Sequence, residues 1–276
     1  GFDYRLAMGV TDMWFKLFDI PDENWSVAMI FYELINRRRD EKTISYVECH
    51  DQSIVGGQTA IFRLAGAAMY DAMRRDIPNV AVERASAIHK MVRLATLATA
   101  GHGYLNFMGN EFGHPEWVDF PREGNAWSNF YARRQWSLAD DPALRYHDLG
   151  EFDRALLGLI GGEAGFFERP VQLVRLDELA KILIFERNGL WFCFNFHVER
   201  SAPDYAFEAM PGEYRLLLDT DEFRFGGYGR LERGQVYGTV PEPTGGGTYQ
   251  ALRVYLPSRS ALVLLRTGSV AKLAET

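Results

Sequence analysis

The hydrophobic pattern of this 276-residue chain changes its period near Gly161 and Gly162. Before these glycines, apolar residues recur at helical spacing; after them, apolar and polar residues alternate, as half-buried strands require. The alternating part predicts strands over 171–176, 181–187, 190–196, 214–218, 250–256 and 261–265. Asn188-Gly189, between the second and third of these, is a strong two-residue hairpin signal. We therefore predict an α/β part over residues 1–162, followed by an antiparallel β-sandwich domain over 163–276.

Composition limits the partners of the chain. A formal net charge of −7 argues against nucleic acid and anionic membrane surfaces, because both need a basic footprint on the protein. No apolar run is long enough to span a membrane, and we expect no signal peptide before the first helix. Cys49 and Cys193 are predicted to lie in strands as reduced thiols, which favours a cytoplasmic protein.

In the α/β part, one predicted strand is followed directly by titratable side chains. Residues 43–47 are rich in β-branched and aromatic residues, and His50 and Asp51 follow them. A long helix is predicted over 79–100 and a second strand over 104–108. This order implies a parallel pair whose following loops open at the same edge of the sheet. Because neighbouring strand residues point to opposite faces, His50 and Asp51 can share a site only if the backbone leaves the strand there.

The residues alone leave several roles open. An aspartate at the end of a strand, such as Asp51, is as readily a turn or helix cap as a catalytic group. Glu48 is better interpreted as a member of a structural ion pair than as an acid or base. Glu111 and His114 have the spacing of metal ligands on a helix, but they lie in a glycine-flanked loop without a second such pair. The glycine clusters fit neither a phosphate loop nor a dinucleotide motif, so we predict no metal and no cofactor.

A long loop over 116–136 combines Trp117, Trp127 and other aromatic residues with arginines. Loops of this length inside compact domains are usually functional. An aromatic content of 14% suits a sugar-binding surface, although packing is the simpler explanation for each tryptophan taken alone. These residues are compatible with a glycan-type site at the top of an α/β barrel segment.

Several longer stretches carry a family resemblance. They are residues 1–8 (GFDYRLAM), 48–52 (ECHDQ), 103–117 (GYLNFMGNEFGHPEW), 131–135 (YARRQ), 195–197 (NFH), 225–227 (FGG) and 255–259 (YLPSR). On these stretches the chain resembles the carboxyl-terminal half of 1,4-α-glucan branching enzymes of the α-amylase superfamily, nearest the eukaryotic type. The stretch over 103–117 is the most specific of them.

The resemblance implies a (β/α)8 TIM barrel cut before its sixth strand, over 1–162, followed by the superfamily's all-β carboxyl-terminal domain, over 163–276. Family enzymes cleave α-1,4 glucan chains and join them to a 6-hydroxyl through a covalent glucosyl-enzyme, which builds branches in glycogen or starch-like polymers. This chemistry needs a nucleophile, an acid/base and a third carboxylate that stabilises the transition state. Asp51 matches the third. The other two precede Gly1 in the family, so we expect the segment alone to be inactive.

The resemblance also assigns the substrate contacts. His50 is expected to hold a hydroxyl of the donor sugar, and Glu48, Glu111 and Trp117 are expected to bind the α-glucan. Cys49 stands where the family usually has serine, and we expect such departures to affect chain-length preference rather than the class of reaction. Two alternatives stay open, an α-glucan hydrolase of the same superfamily and a non-catalytic glucan-binding module.

A partial barrel has a physical consequence. Its edge strands and apolar interior are uncovered, so we expect the segment to be unstable or to self-associate, whereas the all-β domain could fold alone.

Overall fold

A computed structural model of the chain describes residues 2–38, 40–54, 57–161 and 165–267. The elements of the first part are β1 (Arg5–Leu6), α1 (Met8–Phe18), α2 (Val27–Ile35), β2 (Thr43–Ser45), α3 (His50–Ser53), α4 (Ala60–Ala65), α5 (Ala68–Asp71), α6 (Val80–Thr99), β3 (Gly103–Tyr104), α7 (Ser137–Asp140) and α8 (Arg145–Ile160). Those of the second part are β4 (Gln172–Asp177), β5 (Ile182–Arg187), β6 (Leu190–Asn195), β7 (Ala202–Glu208), β8 (Glu213–Asp219), β9 (Val236–Thr244), β10 (Gly247–Leu256) and β11 (Ser260–Thr267). The predicted boundary between residues 162 and 163 lies outside the described residues.

The first part contains a parallel sheet in the order β1-β2-β3. Arg5 pairs with Thr43, and Ile44 pairs with Gly103. The parallel pair predicted around the long helix is therefore confirmed. The strand predicted over 104–108 is shorter than expected and covers only Gly103–Tyr104. Beyond it, Asn106 donates to Asp153 of helix α8 at 3.1 Å.

Helix α1 begins earlier than its sequence suggests. The residues from Gly1 to Val10 are expected to form a strand end and a loop, with Thr11 capping the helix, yet the helix begins at Met8. Thr11 is buried inside it and donates its hydroxyl to the Tyr46 carbonyl at 3.1 Å. The threonine therefore fastens the helix to the end of the central strand.

Helix α6 forms the centre of the molecule. Asn79 caps it by accepting a hydrogen bond from the Val82 N–H at 3.1 Å, close to the predicted start. Nearly every residue from Ala85 to Thr99 is buried, because helices α4 and α8 cover one side and strand β11 lies on another. A helix covered on all sides loses the one-sided apolar stripe of a surface helix.

The second part is one antiparallel sheet in the order β4-β5-β6-β11-β8-β9-β10-β7. Asn188 and Gly189 both have positive φ, at 55° and 81°, as the predicted hairpin turn between β5 and β6 requires. The two end strands of the sheet meet, because the Tyr205 hydroxyl of β7 donates to Asp177 of β4 at 3.0 Å. The sandwich is thus a continuous sheet folded over on itself.

The sequence pattern does not predict two strands of this sheet, β7 and β9. Pro241 and Pro243 lie inside β9, opposite Gln250 and Thr248 of β10. Proline cannot donate a ladder hydrogen bond, so prolines lower the strand signal of a segment. Much of β9 is also exposed, so apolar alternation is weak there.

The apolar core continues from the first part into the second. One face of the sheet, which includes Phe185, Phe192 and Phe194, belongs to the same buried cluster as helices α1, α2, α6 and α8. The opposite face, which includes Ile184 and Cys193, forms a separate cluster inside the folded sheet. Because the first cluster is shared, removal of the helices would expose an aromatic surface, which argues against independent folding of the all-β domain.

Across the described residues, none of the helices combines the length and the apolar character needed to cross a bilayer.

Candidate functional site

His50 and Asp51 lie on a single helical turn beyond β2. Cys49 precedes the turn in extended backbone, and its N–H donates to the side-chain oxygen of Gln52 at 2.9 Å, which closes the turn. Because the backbone leaves the strand after Ser45, the two side chains do not diverge, and His50 Nε2 lies 3.1 Å from Asp51 Oδ1. The side chains are 59% and 55% exposed. The geometric condition for a shared site is therefore met.

The loop after β3 packs against this turn. The rings of Phe107 and His50 have centroids 6.3 Å apart. The Asn110 amide donates to the Ser53 hydroxyl at 2.8 Å, and the Val118 N–H donates to the Ser53 carbonyl. The segments that follow β2 and β3 thus form one surface, as predicted for parallel strands, and His50 and Asp51 are exposed on it.

Arg134 holds the loop after β3 in place. Its guanidinium donates to the Met108 carbonyl at 2.8 Å, to the Asn110 side-chain oxygen at 3.0 Å and to the Glu116 carbonyl at 2.5 Å. Gly109 has a φ of 91°, and a Cβ built there would lie 2.7 Å from Arg134 Nε. The glycine therefore serves both the left-handed backbone and the close approach of the arginine.

His114 is a second internal brace. It is 1% exposed, the Gln135 N–H donates to its Nε2 at 3.0 Å, and its Nδ1 lies 3.1 Å from the Glu116 carbonyl oxygen. Burial, and after it the charge of Arg134, lowers the pKa of His114 to about 4. The ring is neutral at physiological pH, and both of its nitrogens contact backbone groups. This arrangement fits a structural role better than a metal-binding one.

Glu48 and Glu111, on the segments that follow β2 and β3, are less exposed than His50 and Asp51. Glu48 is 2% exposed, accepts a hydrogen bond from the Ala60 N–H at 2.7 Å, and has a pKa raised to about 7, mainly by burial. The expected ion pair is not found for Glu48 among the described residues, and a backbone N–H takes its place. Glu111 is partly buried; its Oε2 has no hydrogen-bond partner in the described part of the chain, and burial raises its pKa. Of the two, Glu111 is the better placed to reach a ligand.

Trp117 borders a cavity of about 390 Å³ in the aromatic loop. Phe130, Tyr131 and Trp136 also line it, and each is about half exposed. Trp127 is 70% exposed and stands apart from the cavity lining. Aromatic rings around a cavity suit contacts with the apolar faces of sugars.

Cys49, His50 and Asp51 have ligand atoms within 4.8 Å of one another, a grouping that could hold a metal ion. Burial, however, raises the pKa of the Cys49 thiol, whereas metal binding requires the thiolate. The absence of a metal stays a prediction.

The roles of Arg134 and Phe107 could not be predicted from the sequence pattern. Consecutive arginines at 133 and 134 within an aromatic loop were the available signal. Which of the two is buried depends on contacts as far as 26 residues away along the chain, and these cannot be inferred from local pattern.

Comparison with known proteins gives two results. Residues 174–267 match the family model described as the alpha amylase C-terminal all-beta domain, so the chain contains this domain. The chain is also 46% identical over 270 residues to the 1,4-alpha-glucan-branching enzyme of Yarrowia lipolytica, with 96% of this chain and 39% of that protein covered. The branching enzymes of Candida glabrata and Felis catus are 45% and 46% identical, each with 96% of this chain and 38% of the relative covered. The resemblance found in the sequence is confirmed, and the chain spans less than two-fifths of the length of these relatives.

Proposed function

We propose that this chain, which is similar to 1,4-α-glucan-branching enzymes over 96% of its length, is the carboxyl-terminal part of such an enzyme. Residues 1–162 would complete a (β/α)8 barrel, and residues 163–276 form the all-β domain that follows it. The enzyme would cleave an α-1,4 glucan chain and transfer it to a 6-hydroxyl of glycogen or a starch-like polymer. Parallel strands whose following segments form one surface support the barrel assignment.

Asp51 is the catalytic residue that this segment contributes. Its exposed carboxylate would bind hydroxyls of the donor sugar and stabilise the positive charge that develops on the ring in the transition state. His50 orients that carboxylate at 3.1 Å and holds a hydroxyl of the same sugar. The nucleophile and the acid/base would come from strands that precede Gly1 in the family, so the segment has no turnover by itself.

The remaining predicted residues take supporting positions. Glu111 and Trp117 lie on the loop after β3 and would contact the glucan chain, with Trp117 beside the aromatic cavity. Glu48 is buried and accepts a hydrogen bond from the first residue of α4, Ala60, rather than contacting the sugar. Cys49 and Cys193 are free and buried, which fits a cytoplasmic protein.

The observation that carries this proposal is the exposed His50–Asp51 pair at the carboxyl edge of the parallel strands. It is tested by Asp51→Asn in the complete enzyme, with amylose as substrate and the loss of iodine colour as the measure of branching. We expect turnover to fall by about 10²–10³-fold or more, with glycogen retention on a native gel largely unchanged.

The matched control is Asp204→Asn, because Asp204 is 63% exposed and lies on β7 of the all-β domain. Turnover of this variant should equal that of the parent. Unchanged turnover of Asp51→Asn would remove Asp51 from the mechanism.

A hydrolase of the same superfamily would use the same carboxylates, so the products separate the two reactions. Branching reduces iodine colour with little release of reducing ends, whereas hydrolysis releases a reducing end for each bond cleaved. Stoichiometric release of reducing ends would favour the hydrolase.

The aromatic cavity favours a second candidate, glucan binding without catalysis. Trp117 and Tyr131 on its wall would then retain glycogen on a native gel even in a protein that shows no turnover. Trp117→Ala should weaken this retention, and Trp25→Phe, a change of a fully buried ring, should not if the fold is kept.

A further inference from the structure

A second cavity, of about 370 Å³, lies between helix α6 and the turn that follows β8. It is separate from the proposed active site, since its lining includes none of residues 46–54 and none of residues 105–136. Its wall carries five cationic side chains but only two carboxylates. The cations are Arg84, Lys90, Arg145, Arg230 and Arg259, and the carboxylates are Glu83 and Asp221.

Both carboxylates are already occupied. Asp221 accepts hydrogen bonds from Arg230 Nε at 2.7 Å and from the Tyr228 N–H at 3.1 Å. Glu83 accepts a hydrogen bond from the Tyr228 hydroxyl at 2.7 Å. They are therefore committed to protein donors. Arg84 and Arg259 share the carboxylate of Asp22, which does not line the cavity, so Lys90 and Arg145 are the two cations without a close carboxylate partner among the described residues.

Arg145 is the least satisfied of these cations. It is 8% exposed, its Nε has no hydrogen-bond partner in the described part of the chain, and its nearest carboxylate oxygen, on Glu83, is 3.5 Å away. Arg259 Nε is likewise buried and unpartnered, although the Nη2 of the same side chain donates to Asp22 at 3.0 Å. A buried guanidinium with unused donors is costly, so such groups normally face an anion or a ring of acceptors.

Lys90 also lacks a carboxylate as a hydrogen-bond partner among the described residues. Its ammonium is buried and donates to two carbonyl oxygens, those of Thr220 and Phe225, the second at 2.8 Å. These bonds leave the third ammonium N–H available, and Asp221 and Asp219 act on its charge without forming an ion pair with it among the described residues. An anion in the cavity would meet Lys90 on one side and Arg145 on another.

We infer that this cavity is a binding site for a phosphate monoester, specifically a hexose phosphate. Guanidinium groups match the several oxygens of a phosphate, and two negative charges suit Lys90 and Arg145, the two cations without a close carboxylate partner among the described residues. The volume exceeds that of a phosphate ion and falls within the usual range for small-molecule sites. The Tyr228 ring and the Ser258 hydroxyl, on the same wall, would contact the sugar.

The site lies between the two parts of the chain, so the ligand would also stabilise their association. Arg145 and Lys90 belong to helices of the first part, and Tyr228 and Arg259 belong to the second. Ligand that binds only the folded state raises the melting temperature by mass action. The inference does not depend on the proposed catalytic role of Asp51.

The test is isothermal titration calorimetry of the 276-residue chain with glucose 6-phosphate, inorganic phosphate and glucose as separate ligands. We expect saturable binding of the two phosphates, tighter for the sugar phosphate, and none of glucose. Equal affinity for the two phosphates would support the phosphate site and assign it to phosphate alone. Absence of binding by both would overturn the inference.

Arg145→Gln should weaken the binding of glucose 6-phosphate by about tenfold or more, and Arg145→Lys by less. The control is Arg154→Gln, since Arg154 lies on the same helix and is 75% exposed. Affinity that is unchanged in Arg145→Gln would contradict the inference.

Hydrogen exchange on the parent chain keeps the test decisive should a variant fold poorly. Glucose 6-phosphate should protect residues 80–90 and 220–230, which border the cavity. Protection confined to other segments would overturn the assignment.

Discussion

The eight-stranded sheet and the three-stranded sheet of this chain differ in how their strands are covered. Strand β5 is buried on both faces, with Phe185 toward the helices and Ile184 toward the interior of the folded sheet. Strand β1, by contrast, is exposed along its length, and β1 and β3 each have one neighbour only within the three-stranded sheet. Uncovered strand edges favour pairing with further chain. Within the described residues, the all-β region therefore covers its central strands, whereas the three-stranded sheet leaves both of its edges unpaired.

The two regions are nevertheless joined by polar contacts as well as by the shared core. Glu178, just after β4, accepts hydrogen bonds from the Ser26 hydroxyl at 2.6 Å and the Ala28 N–H at 2.7 Å, and so caps the start of α2. Lys181 donates to the Trp25 carbonyl at 2.7 Å. A carboxylate at a helix N-terminus is favourable electrostatically. A residue of the all-β region therefore caps the N-terminus of a helix in the other region.

The largest expected effect comes from Phe185→Ala. Phe185 is fully buried, stacks on Phe192 at 5.2 Å and contacts Phe31 of α2 at 6.1 Å. The free energy of unfolding should fall by about 3–5 kcal/mol, through lost burial and the cavity left behind. Because the cluster is shared, circular dichroism and tryptophan fluorescence should report one common urea midpoint, shifted downward.

The control is Phe223→Ala, since Phe223 is 73% exposed, and its midpoint should scarcely change. Two separate transitions in either protein would show that the regions unfold independently, which would contradict a shared core.

Arg187→Met should have the next largest effect. The guanidinium is fully buried and donates to four carbonyl oxygens, including those of Ala98 and Ala100 at the end of α6. Methionine fills similar space but leaves these acceptors unsatisfied, so unfolding free energy should fall by about 3 kcal/mol. The measurement is urea denaturation. Arg154→Met, on an exposed arginine, should leave the midpoint in place, and a similar result for Arg187→Met would show that water replaces the guanidinium without loss.

Local signals in the sequence predicted much of this fold. The Asn79 cap, the Asn188-Gly189 turn and the polar residues at the end of β2 each act within a few positions, so the sequence shows them directly. The burial of Glu48 and the brace formed by Arg134 could not be predicted in this way. Both depend on which loops the fold brings together, and an isolated carboxylate or arginine gives no local sign of it.

Each region also contains a buried carboxyl group that should make stability depend on pH. Burial raises the pKa of Glu48 from 4.5 to about 7 and that of Asp219 from 3.8 to about 7. Because both values are raised by folding, the native state binds more protons, and stability falls as the pH rises from the unfolded value through 7. Between pH 5 and pH 8 each group should contribute a loss of about 2–3 kcal/mol.

Glu48→Gln and Asp219→Asn should therefore each flatten the stability profile over this range, by a similar amount in the two regions. The measurement is urea denaturation at intervals from pH 5 to pH 8. Because the groups lie in different regions, the double variant should show the sum of the two effects. A profile that keeps its full slope in Glu48→Gln would show that this carboxyl is ionised in the native state.

The smallest effect on unfolding free energy is expected at the open edge. Leu6 lies on β1 and is 36% exposed, so Leu6→Lys should change stability by less than about 0.5 kcal/mol. A charged side chain on an edge strand nevertheless opposes pairing with another chain. The parent chain should therefore self-associate with increasing concentration in sedimentation velocity, and Leu6→Lys should do so less. Leu179→Lys, at a 91% exposed position of the all-β region, should sediment like the parent. A parent chain that stays monomeric at all concentrations would mean that the uncovered sheet needs no partner, and the contrast between the two sheets would then be one of exposure alone.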